Sequence, residues 1–146
     1  MVKVRLATKA DEQSILRLLR KYCDEVGTPL TDEHLLKGLA PLLEENEHGV
    51  VLVAEKSEII GYSILTWGWG IESGGKEALV DEMFVIESER ASGVGTALMQ
   101  ASIDYARKNE VQVIFLETEE NNPRSRSLYQ KLGFEEETSI WMSCRL

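Results

Sequence analysis

Cysteine is scarce. The chain holds two, Cys23 and Cys144, with no CxxC pair and no cluster with its two histidines, so neither a disulfide scaffold nor a zinc or other metal site is expected. Isolated cysteines suit a reducing compartment, and the reading is a cytoplasmic protein. Long hydrophobic runs are missing as well. No stretch reaches the roughly 18 apolar residues of a membrane helix. The N-terminal MVKVRLATKADEQ has no apolar segment of signal-peptide length. Basic residues are outnumbered: 16 Lys and Arg face 25 Asp and Glu, a net charge of −9. Such a surface cannot displace the counterions of nucleic acid or dock on an anionic bilayer, so neither is an expected partner. A cationic small molecule is what this field attracts, and a well-solvated acidic surface is the plainer reading of the same charge.

What is present fits a folded α/β protein. With 146 residues, 43% of them hydrophobic, one domain over residues 1–146 is expected to form a core unaided by disulfide or metal. Val2, Val4 and Leu6 alternate as a first strand. Thr8 with Asp11 reads as a capping box, and Ile15, Leu18, Leu19, Tyr22 and Val26 follow at helical spacing up to Gly27. Thr31 caps a second helix that Pro41 breaks. Val50–Ala54 and Ile59–Trp67 read as a hairpin. Gly68-Trp69-Gly70 and Ser73-Gly74-Gly75 bracket an expected flexible connection. Then come a strand at Ala78–Ile86, a helix at Gly93–Arg107, an apolar strand at Val111–Leu116, a helix at Asn122–Leu132 and a last strand at Ile140–Cys144. The order gives a mixed sheet, with the strands at 78–86 and 111–116 parallel because a helix crosses between them.

The segment Val85-Ile86-Glu87-Ser88-Glu89-Arg90-Ala91-Ser92-Gly93-Val94-Gly95-Thr96 carries the strongest signal. A strand ends, a loop turns and a helix opens on two glycines. Free N–H groups at the positive end of a helix dipole bind phosphate, and Arg90 adds a cation at the rim. The same pattern also serves an ordinary strand-to-helix turn. No GxxxxGK[ST] string exists. A dinucleotide fingerprint needs a small residue where Leu98 stands, although Glu117 is placed to mimic the ribose-binding acid.

Arg90-x-x-Gly93-x-Gly95 resembles the [Q/R]-x-x-G-x-[G/A] acetyl-CoA loop of the GNAT superfamily of N-acetyltransferases. Asn122-Pro123-Arg124-Ser125-Arg126-Ser127-Leu128-Tyr129-Gln130-Lys131-Leu132-Gly133-Phe134 is similar to that family's N-x-x-[A/S]-x-x-[F/L]-Y-x-x-x-G-F segment. The two stand one helix and one strand apart, as in the family, and the expected element order agrees along essentially the whole chain. The resemblance implies a GNAT-like acyl-CoA N-acyltransferase fold, a central mixed and splayed sheet flanked by helices, with acetyl-CoA as cosubstrate. It assigns the CoA pyrophosphate to the backbone of Arg90, Ala91, Ser92, Gly93, Val94, Gly95 and Thr96. Met83, Phe84 and Val85 are assigned the pantetheine arm and the polarised thioester carbonyl. Asn122 touches the CoA arm in this comparison, and its side chain also suits a helix N-cap. Tyr129 protonates the departing thiolate, or else belongs to an apolar helix stripe. Many members have glycine where Ala91 stands, which puts the backbone freedom of the loop in question.

Amine attack also needs a base. Asp81 and Glu82 are adjacent on the strand before the loop, so alternation points them to opposite faces, and one is expected in the site. Glu117 and Glu119 lie at the exit of the next strand and attract an amine. By the resemblance, the acceptor pocket falls to Tyr22, Glu25, Thr28, Trp67, Trp69, Ile71 and Glu72, acids for the cation and rings for its carbon chain. His34 and His48 read as surface residues. Cys144 has no neighbouring base, so a cysteine-linked acyl intermediate is not expected. The resulting expectation is transfer of acetyl to a primary amine, a small cationic one, by direct attack in a ternary complex. The alternatives are a noncatalytic acyl-CoA-binding or regulatory module and a protein lysine or N-terminal acetyltransferase. Members of the family often dimerise, which allows a homodimer.

Overall fold

Five alternating or continuous apolar stretches pair into one twisted sheet in the computed structural model, which describes residues 1–146. They are β1 (Lys3–Leu6), β2 (Gly49–Glu55), β3 (Ile59–Gly70), β4 (Gly75–Val85) and β5 (Val113–Leu116), in the order β1-β2-β3-β4-β5. The first three pairings are antiparallel, and β4 runs parallel to β5 as the crossover requires. The crossover is α3 (Val94–Lys108).

The helices begin and end where local chemistry allows. Thr8 N–H donates to the Asp11 carboxylate at 2.8 Å, and a short 3-10 turn leads into α1 (Glu12–Val26). Gly27 closes α1 at φ 73°, a left-handed conformation that glycine adopts without steric cost. Thr31 accepts from His34 N–H at the start of α2 (Asp32–Leu39), and Pro41 lies in the 3-10 turn that ends it. Asn122 likewise accepts from Ser125 N–H at the start of α4 (Pro123–Lys131). None of these helices is long and apolar enough to cross a membrane.

Each face of the sheet is covered by helix. On one, Ile15, Leu18, Leu19 and Leu39 of α1 and α2 pack against Val51, Val53, Tyr62, Ile64 and Phe84. On the other, Met99 and Ile103 of α3 pack against Leu52, Leu65 and Val80. Ser63 accepts a buried hydrogen bond from Ser102 at 2.9 Å on the α3 face, which satisfies both hydroxyls. Burial of each large side chain contributes about 1.5–3 kcal/mol, so these two layers hold the sheet rigid under the site.

Two sequence expectations are corrected. The glycine-rich stretch at 68–75 is no flexible connection. β3 runs on to Gly70, β4 starts at Gly75, and Trp69 pairs with Lys76 near the tight end of a hairpin. The glycines leave room for a neighbour: a Cβ at Gly70 would stand 1.8 Å from Oε1 of Glu77. The expected last strand at Ile140–Cys144 also does not form. Instead of lying along the short edge strand β5, this segment borders Leu79 and Phe115 on the α1/α2 face, and Ile140 and Met142 are 87% and 91% exposed.

One irregularity shapes the centre. Ile64 pairs with Glu82 while Leu65 pairs with Val80, so Asp81 is an extra residue in β4, a β-bulge. β5 pairs with β4 only as far as Val80. Beyond that point β4 keeps β3 on one side and has no strand on the other, so the parallel strands part.

Candidate active site

The loop after β4 exposes backbone donors. A 3-10 turn at Glu87–Glu89 ends at Arg90, and Ala91 and Gly93 both take positive φ, 63° and 89°. The N–H groups from Ala91 through Thr96 donate to no protein atom, and the first helical bond of α3 runs from Ala97 N–H to the Gly93 carbonyl. Alternating left-handed residues and the first turn of a helix thus aim consecutive N–H groups outward, an anion-binding concavity. No Cβ at Gly93 would meet an atom within 4 Å, so the space in front of this residue is open. Val94 anchors the loop, its side chain buried in the core while its N–H faces out.

Arg90 does not offer its charge to this concavity. Its guanidinium forms a two-pronged pair with Glu25 at 2.7 and 2.8 Å, and Nε donates to the Val85 carbonyl at 2.8 Å. Glu25, expected among the acceptor residues, is therefore occupied in tying α1 to the loop.

The parted stretch of β4 supplies an open edge. Met83, Phe84 and Val85 pair with Ser63, Tyr62 and Gly61, and their other edge has no strand partner. The Phe84 ring is buried between Tyr22 and Tyr62, at 6.1 and 6.0 Å between ring centres.

The bulge decides which face Glu82 takes. Val80 belongs to the layer under α3, yet Glu82 reaches Tyr62 in the layer under α1 and α2. Strict alternation would put residues 80 and 82 on one face; the extra residue Asp81 breaks the alternation. The Tyr62 hydroxyl, fully buried, donates to Oε1 of Glu82. Burial pushes the Glu82 carboxyl above the usual carboxylate range, the Tyr62 bond draws it partly back, and the charge on Asp81 adds a further upward push. The Asp81 carboxyl is also raised by desolvation. Burial raises the Tyr22 phenol, and the negative charges of Glu82, Glu119 and Asp81 add to the shift. Burial and the Glu82 charge likewise raise the Cys23 thiol.

Tyr129 of α4 packs, partly buried, against the hydrophobic layer under α3. Its ring packs on Phe134 at 6.0 Å, and its hydroxyl makes no protein hydrogen bond. Burial raises its pKa, so it stays protonated at neutral pH. A Cβ at Gly95 would touch Leu128 and Met83 at 3.7 and 4.0 Å, which places α4 beside the loop and β4. Asn122 serves as the cap of α4.

Two expected acceptor residues stand apart from Tyr22. Trp67 stacks on Tyr105 of α3 with ring centres 6.3 Å apart and carries Lys76 over its ring at 4.3 Å, and it is also among the residues that line the cleft bordered by Leu79 and Phe115. Trp69 is 76% exposed near the hairpin end. Side-chain parity along β3 decides both: Tyr62 and Ile64 face α1, so the odd-numbered residues face α3. Glu117 is exposed just past β5, and Glu119 is the acid that acts on Tyr22. Tyr62 went unnoticed in the sequence. The available signal was a tyrosine inside an apolar strand, whose hydroxyl must find a partner when buried.

Known proteins resemble this chain in sequence and in fold. The chain matches the model of the acetyltransferase (GNAT) family over residues 13–134. It is 31% identical over 147 residues to the uncharacterised N-acetyltransferase YhfO of Bacillus subtilis (strain 168), covering 98% of this chain and 96% of that protein. It is also 31% identical over 101 residues to an N-alpha-acetyltransferase of Sulfurisphaera tokodaii, covering 64% of this chain and 60% of that one. Among solved structures, an integron cassette protein from the mobile metagenome of Cole Harbour Salt Marsh superposes with a TM-score of 0.87 at 28% identity, covering 98% of this chain and 90% of the other. The family match takes in the open loop, the parted strands and the Asn122–Phe134 segment together, and on that ground the chain belongs to the GNAT family of acetyltransferases, an acyltransferase enzyme.

Proposed function

We propose that this protein transfers the acetyl group of acetyl-CoA to a primary amine by direct attack while both substrates are bound. One observation carries the reading: consecutive unpartnered N–H groups from Ala91 to Thr96 stand next to the strand edge at Met83–Val85 that β5 leaves open. That combination fits a CoA molecule, pyrophosphate on the loop and pantetheine along the strand. Asn122 at the head of α4 lies on the side of the arm.

Acetyl-CoA supplies an activated thioester. Glu82 accepts the proton that the amine must lose, directly or through a water, and its raised pKa makes it a stronger base than a solvent-exposed carboxylate. Asp81 beside it holds the cation before deprotonation. A β4 N–H in the stretch Met83–Val85 stabilises the negative charge that develops on the carbonyl oxygen as nitrogen bonds to carbon. When the carbon–sulfur bond breaks, Tyr129 gives its proton to the sulfur and regains one from solvent.

Calorimetric titration with acetyl-CoA and with NAD, followed by free-thiol release against a panel of amines, tests the reading. Acetyl-CoA binding with amine-dependent release is expected. Absence of acetyl-CoA binding, or preference for NAD, overturns it.

A further inference from the structure

Two residues at the loop after β4 break local rules. Ala91 sits at φ 63°, a left-handed conformation that an L-residue keeps only under constraint from its surroundings. Glu25 stands in the last turn of α1, where the helix dipole disfavours an acid and no basic residue accompanies it. The two meet at Arg90. Its guanidinium pairs with both oxygens of Glu25, 65 residues away in the chain, and Nε reaches the Val85 carbonyl. Ile86 N–H donates to the Ile60 carbonyl, so alternation turns the Val85 carbonyl to the open edge of β4. The guanidinium carbon also lies 5.3 Å from the centre of the Phe84 ring. On the other flank Lys56, in the turn between β2 and β3, pairs with Glu89 at 2.6 Å. The Ser92 hydroxyl donates to the Glu89 carbonyl, also at 2.6 Å. Residues 89, 90 and 92 are thus each tied down, and the strained Ala91 lies between them.

We infer that Glu25 and Lys56 are positioning residues for acetyl-CoA. Through Arg90 and Glu89 they hold Ala91 left-handed and keep the N–H groups from Ala91 to Thr96 aimed at one anion before it arrives. The inference rests on the reading of this loop as the pyrophosphate site. An alanine released from its flanks returns to negative φ. That rotation turns the peptide before Ala91 against the one after it and breaks up the set of donors. The two-pronged Arg90–Glu25 pair fixes orientation as well as distance. Donors held ready bind without the cost of ordering them. Arg90 therefore acts by geometry, since its charge stays on Glu25 and on the Val85 carbonyl. Glycine at position 91 would make the ties dispensable, because glycine takes positive φ about as readily as negative.

Calorimetric titration with acetyl-CoA compares the unaltered protein, Glu25→Gln, and Glu25→Gln combined with Ala91→Gly. Glu25→Gln should weaken binding about three- to tenfold. Adding Ala91→Gly should bring back most of that loss. A general loosening of the fold would not be repaired by glycine, and the thermal midpoint of each variant reads it separately. Lys56→Gln repeats the comparison from the other flank with a smaller loss, again repaired by Ala91→Gly, and it decides the matter if Glu25→Gln does not fold. Unchanged affinity in a folded Glu25→Gln protein overturns the inference, as does a loss that Ala91→Gly leaves in place. Tighter binding overturns it too, by showing that Glu25 keeps Arg90 away from the phosphates. In each of these cases the unaltered protein still binds acetyl-CoA and the acetyltransferase reading stands. Failure of the unaltered protein to bind acetyl-CoA overturns both.

Discussion

The hydroxyl of Tyr62 and Oε1 of Glu82 are joined by a hydrogen bond inside the sheet, where Tyr62 has no solvent exposure at all. The bond ties up one carboxylate oxygen and leaves Oε2 to take a proton. It also favours the ionised form and so opposes the desolvation that raises Glu82.

Removing that bond should therefore move activity along the pH axis. The base works ionised, so kcat/KM rises as pH climbs through the Glu82 pKa. In Tyr62→Phe that pKa rises further, and the acidic limb of the profile shifts to higher pH. Glu82→Gln should lose about 100- to 10,000-fold in kcat and with it that limb. A pH series of initial rates on both variants reads the outcome. An unshifted limb in a folded Tyr62→Phe protein would contradict the role given to the bond.

Tyr129 is held above the ordinary phenol range by burial, so as an acid it stays armed at neutral pH. Tyr129→Phe should lower kcat about 100-fold and abolish the alkaline limb, with little change in acetyl-CoA affinity. Steady-state kinetics paired with calorimetry separates the two effects. A loss of binding alone would show that the residue only packs against Phe134.

Ala91 stands at φ 63°, where an L-residue costs about 1–2 kcal/mol. Ala91→Gly relieves this strain, and a rise in thermal midpoint with acetyl-CoA affinity kept or improved is expected. Gly93 is at φ 89° with open space before it. Gly93→Val adds strain and puts methyl groups into the phosphate site, so acetyl-CoA affinity should fall about tenfold or more while the protein still folds. Unchanged affinity would move the pyrophosphate elsewhere.

Asp11 joins Arg5 at 2.8 Å, and the Arg5 guanidinium holds its carboxyl at about 2. The folded value lies below the unfolded value of about 4, so the pair stabilises the native state above that pH. The contribution is lost as pH falls from about 4 towards about 2. Urea denaturation of the native protein and of Asp11→Asn across this window should converge at low pH. At neutral pH the variant should be less stable by about 1–3 kcal/mol.

Much of the fold was readable because its signals are local. Thr8, Thr31 and Asn122 cap helices through atoms within three residues, Gly27 ends a helix by its own backbone freedom, and the loop Arg90–Thr96 declares itself by two glycines at fixed spacing. The acids at 81 and 82 were found as candidates for the same reason. Their orientation was not readable, because a bulge depends on which residue of β3 opposes which residue of β4, and pairing leaves no mark in either strand alone. The tertiary structure alone decided that Glu82 meets Tyr62, that Arg90 spends its charge on Glu25, that Trp67 stacks on Tyr105 of α3, and that the C-terminal segment lines a cleft with Leu79 and Phe115 instead of extending the sheet. Each of these rests on contacts between residues far apart in the chain, set by strand register and by which edge remains free, and neither is encoded by spacing within one segment.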